Sequence, residues 1–119
     1  MNIKDMILAV DDLPRKPVKV KEWGTTVWIK TMSGAEKDAF ELEYYGEDKP
    51  HTNIRAGMLV RCLVDEQGQR IFADNEAEIL GHKSAKVLSQ LFTIASKLNA
   101  ISATDVEELE KNSGSDLVA

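Results

Sequence analysis

The chain is expected to fold as a single α+β domain, mainly helical, with an N-terminal β-hairpin, and three stretches predict this. Ser84 to Ile101, SAKVLSQLFTIASKLNAI, repeats apolar residues at steps of three and four. Val18 to Lys30, VKVKEWGTTVWIK, holds two alternating runs around a Trp-Gly turn signal. Ser33-Gly34-Ala35-Glu36 is a capping box that starts a further helix. With 119 residues and 43% hydrophobic content the chain can bury about two thirds of its unfolded surface around one core. Residues 1–112 are read as that one domain, and 113–119, SGSDLVA in sequence, as a disordered tail.

Taken in order, residues 3–10 alternate too little for a strand and are too few for a stable helix. Asp11 to Pro17, DDLPRKP, is loop chemistry with two prolines, and Asp11 and Asp12 are turn formers. In the hairpin, glycine at the first central position suits a type II′ turn, which would pair Glu22 with Val27 and Val20 with Ile29. Val18, Val20, Val27 and Ile29 then share the buried face. Trp23, Trp28, Lys19, Lys21 and Lys30 fall on the other one, so the only two tryptophans lie on the side the pattern marks as outward. Two readings compete there. Lysine stems and indoles can cover one another, or the aromatic patch can anchor a protein partner, which makes these five residues the candidate binding site.

After the capping box a helix runs to about Tyr45, with Phe40 and Tyr44 one turn apart toward the core. Gly46 to Pro50 is a charged loop, and Thr52 or Asn53 caps the next helix. Ile54, Met58 and Cys62 share a stripe there, although MLVRCLV also suits a buried strand; helix is the preferred reading. Asp65 to Gly68 forms a turn, Arg70 to Phe72 a short extended piece, and Asp74 caps a short helix through Leu80, stopped by Gly81. In the core helix Leu88, Leu91, Phe92, Ala95 and Leu98 line the apolar stripe, widened by Val87, Ile94 and Ile101. Ser102 to Asp105 opens a last amphipathic turn or two with Val106 and Leu109.

Several function classes are excluded by what is missing. A net charge of −5 argues against nucleic-acid binding. Basic residues gather near the start (Arg15, Lys16, Lys19, Lys21, Lys30) and acidic ones near the end (Asp105, Glu107, Glu108, Glu110, Asp116). That asymmetry is either plain solvation or a weak steering of chains head to tail, which leaves a homo-oligomer open. The N-terminus is too briefly apolar and too acidic for a signal peptide or membrane span, so the chain reads as soluble and not exported. The single Cys62 admits no internal disulfide and reads as a small hydrophobe. His51 and His82 stand far apart with no partner spacing, so no metal site is expected. No phosphate loop, GxSxG elbow or HExxH run is present. No catalytic residue, cofactor or enzymatic activity is expected.

The order of segments, with DDLPR, the EWG turn at Glu22 to Gly24, CLVDEQGQRIF and LFTIASKLNAIS as its most telling pieces, resembles the tail assembly chaperones of long-tailed bacteriophages and prophages. The resemblance covers nearly the whole chain and includes no catalytic motif. It implies a non-enzymatic protein of the host cytoplasm, absent from the finished virion, which holds the tape measure protein soluble until tail tube protein polymerises around it. The alternative of another class is a small phage structural or regulatory protein-interaction module. Genes of such chaperones are often read in two frames. Glu110-Lys111-Asn112 can be encoded GAA AAA AAC, which contains the slippery run A AAA AAC.

Overall fold

The computed structural model describes residues 2–49 and 52–100. Its elements are α1 (Ile3–Ala9), β1 (Arg15–Val20), β2 (Thr25–Lys30), α2 (Gly34–Tyr44), α3 (Ile54–Cys62), β3 (Leu63–Val64), α4 (Ala77–Leu80) and α5 (Ala85–Leu98). The strands form one antiparallel sheet in the order β1-β2-β3. The expected mixed, mostly helical fold with its N-terminal hairpin is therefore observed.

The hairpin differs from its expected register by four residues. Val20 pairs with Thr25, Val18 with Val27 and Lys16 with Ile29. In place of a two-residue II′ turn, Lys21–Trp23 makes a 3-10 turn and Gly24 follows at φ 66°, in the left-handed region that glycine adopts without strain. An even shift leaves every side chain on its expected face, so Val20, Val27 and Ile29 are still buried. Strand β1 also starts earlier than expected, within the DDLPRKP stretch. Thr31 N–H donates to Pro14 O at 3.1 Å, and alternation along the ladder then turns Pro17, which has no N–H to offer, toward the free edge.

Residues 3–9 form α1 despite their small number, because the Asn2 side chain accepts from Asp5 N–H at 2.8 Å and caps the first turn. The capping box of α2 is present with both bonds, Glu36 N–H to Ser33 Oγ and Ser33 N–H to Glu36 Oε1. Phe40 and Tyr44 point into the core as expected. MLVRCLV is split between the two readings: α3 ends at Cys62, and Leu63 and Val64 continue as a strand against Ile29 and Trp28. Asn53 precedes α3 at φ 61° without a capping bond from its side chain. The short helix near Asp74 begins as a 3-10 turn over Asp74–Glu76, and its capping bond comes from Ala73 N–H to Glu76 rather than from Asp74.

Helix α5, capped by Ser84, packs against α3 and β2, with Val87, Leu88, Leu91 and Ala95 buried. Asn99, just past its end, fastens it to the sheet. Its Oδ1 accepts from Met32 N–H at 2.7 Å, and its Nδ2 donates to Ala95 O at 2.9 Å and to Lys30 O at 3.4 Å. Cys62 is fully buried beside it, and burial pushes the thiol up to about 12, so it packs as an inert hydrophobe. The predicted start at Ser102 to Asp105, Ile101, His51, Glu110 to Asn112 and the tail lie outside the described residues.

A candidate docking groove at the tryptophans

The two tryptophans are brought together, at one groove of about 670 Å³. Thr25, Thr26, Val27 and Trp28 form one wall, Asp65, Glu66, Ile71 and Phe72 face them, and Trp23 and Leu63 complete the lining. The groove exists because β3 stops after two residues. Trp28 and Ile29 are paired with Val64 and Leu63, but the chain then leaves the sheet at Asp65, whose carboxylate accepts from Gln67 and Gln69 N–H at 2.9 Å each. Among the described residues the Thr25–Val27 part of β2 is thus left without a paired strand on that side, and alternation directs the backbone groups of Thr26 into the gap.

Each tryptophan is half-buried, for a different reason. Trp23 leaves the ladder through the 3-10 turn and packs on the rim of the core. Trp28 lies beneath Arg15, whose guanidinium carbon sits 5.9 Å from the ring centroid and whose Nη2 and Nε donate to Glu66 O at 3.0 and 3.2 Å. Lys19 and Lys21 are exposed beside the hairpin. Lys30 is placed differently from expectation: although in phase with Trp28, it is 8% exposed and forms an ion pair with Glu36 in the first turn of α2. It is held away from the groove.

Lys30 instead opens a chain of alternating charges. Glu36 also pairs with Arg70 Nη1 at 3.5 Å, Arg70 Nη2 with Asp74 at 2.7 Å, and Asp74 with Arg61 Nη2 at 3.4 Å; Arg61 Nη2 also meets Glu43 at 2.9 Å. Arg61 is 2% exposed and donates from Nη1 to Gly57 O at 2.7 Å, while Arg70 donates to Val60 O. Burial alone would raise the pKa of Glu36 and Asp74. The bonds and charges of Lys30 and Arg70 at Glu36, and of Arg70 and Arg61 at Asp74, outweigh it and hold both below their ordinary values. This network is structural. It joins β2, α2, α3 and the turn that forms one wall of the groove.

Sequence reasoning missed two parts of the surface. Ile71 and Phe72 close the groove, and their only signal was a pair of large apolar residues directly after a polar turn. Ile3, Met6, Ile7 and Val10 form a stripe along α1 at helical spacing, from 55% to 72% exposed, and none of the described residues covers it. Among the described residues no group of His, Cys, Asp or Glu is arranged to hold a metal ion, and no helix is long and apolar enough to cross a membrane.

A protein-family model described as phage tail assembly chaperone matches residues 2–112. Among solved structures, that of the bacteriophage HK97 tail assembly chaperone is similar, with a TM-score of 0.62 over 81% of this chain and 91% of that one, at 22% identity. At that identity the likeness speaks to the fold. No curated protein sequence matches the chain.

Proposed function

The chain belongs to the phage tail assembly chaperone family, and from that premise we propose that it keeps the tape measure protein soluble and promotes assembly of tail tube protein around it. Members of the family are chaperones and not enzymes. The observation that carries the reading is the family match over residues 2–112. The docking surface we propose is the groove at Trp23 and Trp28, with Lys19 and Lys21 exposed on the adjoining strand and turn and Lys30 outside the lining, paired with Glu36. An open strand edge beside an apolar lining suits an apolar segment of partner chain, because the edge offers backbone bonds while the pocket accepts side chains.

Co-expression with the tape measure protein of the same phage tests the function. The soluble fraction of that protein should rise with this chain present, and equal insolubility with and without it would refute the reading. In this reading the protein works in the host cytoplasm and leaves before the particle is complete, so purified virions analysed by mass spectrometry should lack its peptides. Their presence at stoichiometric level would favour a structural component instead. A longer product made by a minus-one slip at Glu110 to Asn112 belongs to the same proposal. The gene sequence decides it: codons other than GAA AAA AAC, or a closed minus-one frame, exclude a slip there.

A further inference from the structure

We propose that the groove at Trp23 and Trp28 takes its partner as an extended strand, laid on the line of β3 and antiparallel to β2, and that it selects segments with a basic residue just before an apolar-any-apolar triplet. The inference rests on the groove being a docking surface, as above, but not on which tail protein supplies the strand.

The backbone sets position and direction. Thr31 N–H donates to Pro14 O, so by alternation the odd residues of β2 bond to β1 and the even ones turn to the other side. There Trp28 is paired with Val64, and Asn99 Nδ2 reaches Lys30 O, while Thr26 faces the gap. None of the described residues continues the line of β3 past Val64, because Asp65 turns back, its N–H donating to Gln69 O and its C=O accepting from Gly68 N–H at 2.9 Å each. A guest residue opposite Thr26 extends the ladder by two backbone bonds. An antiparallel guest runs in the direction of β3, so its N-terminal side lies toward Asp65 and its C-terminal side toward Gly24.

Side chains then set the sequence. Cross-strand partners share a face, so the guest residue opposite Thr26 stands on the face of Lys19 and Trp28. Its two neighbours, opposite Val27 and Thr25, turn to the other face, toward Leu63, Ile71, Phe72 and Trp23, and there an apolar side chain is called for. One step earlier, the place opposite Trp28 is filled by Val64, and the guest must leave the sheet beside Asp65 and Glu66. The Asp65 carboxylate is engaged by Gln67 and Gln69 N–H. Glu66 is exposed, and Arg15 meets its backbone O, which leaves the carboxylate to a basic residue of the guest.

A bead library of acetylated, tryptophan-free decapeptides, incubated with the fluorescently labelled full chain, tests this. Sequenced binders should share an apolar-any-apolar triplet with Lys or Arg one or two positions before it. In the strongest binder, N-methylation of the central residue of the triplet should weaken binding at least about tenfold, because its N–H points at Thr26. N-methylation of either neighbour, whose N–H turns away from β2, should change binding less than about twofold. Glu66→Lys should weaken the same binder, and replacing the basic residue of the peptide by glutamate should restore it. An absence of binders, apolar residues at helical spacing, equal effects of N-methylation at all three positions, or no rescue by the charge swap overturns the proposal. None of these outcomes bears on whether the chain holds the tape measure protein soluble, which co-expression reads separately.

Discussion

At the scale of single residues, the buried ends of the charge network are where the fold is most sensitive. Arg61 is almost fully enclosed, and its planar fork reaches Gly57 O, Glu43 and Asp74 at once. Lysine cannot reproduce that fork. Arg61→Lys should therefore recover little of the stability that Arg61→Ala loses, about 2–3 kcal/mol, since a charge-assisted bond and the packing of the stem both go. Urea melts of the two variants check this. Gly57 faces the ring of Tyr44 so closely that an added methyl would overlap it. Gly57→Ala should thus destabilise by about 1–3 kcal/mol, although alanine is the better helix former. Acid provides a third test. Glu36 and Asp74 have lowered pKa values in the folded state, so their contribution is complete above the ordinary values of 4.5 and 3.8 and is lost as pH falls through the lower folded values. Stability measured against pH should decline below about 4.5, and Glu36→Gln should flatten that decline.

At the scale of elements, α5 holds the core and α1 stands outside it. Leu91→Ala should cost about 2–5 kcal/mol, while Phe92→Ala should cost less, because Phe92 is half-buried under Arg55 at 6.0 Å. Deleting residues 1–10 should leave the melting midpoint of dilute protein unchanged, since no side chain of α1 is buried. How far the sequence revealed these elements depended on whether the signal was local. The stripe of α5 and the box at Ser33 are complete within a few residues, so both were legible. The faces of the hairpin were legible too, while its register was not. Gly24 serves either a II′ turn or the end of a 3-10 turn, and only packing of Trp23 on the core separates them. Lys30 looked outward by alternation, but its ion pair with Glu36 joins two elements and is invisible to a period of two. The groove was half legible, through its tryptophans. Its far wall depends on where β3 ends, which a run such as MLVRCLV does not disclose.

At the scale of the whole molecule, a single buried core supports two apolar surfaces that none of the described residues covers, a groove at the sheet edge and a helix on an arm. Exposed apolar surfaces of this kind mark sites of protein contact. Both tryptophans of the chain line the groove, so their fluorescence reports directly on its occupancy. Tryptophan emission, titrated in dilute protein with tryptophan-free segments of the tape measure protein, tests the central claim most directly. The account predicts a saturable blue shift as the indoles lose water, at the same midpoint as binding measured by calorimetry. Binding by calorimetry with emission unchanged would place the contact elsewhere and contradict it.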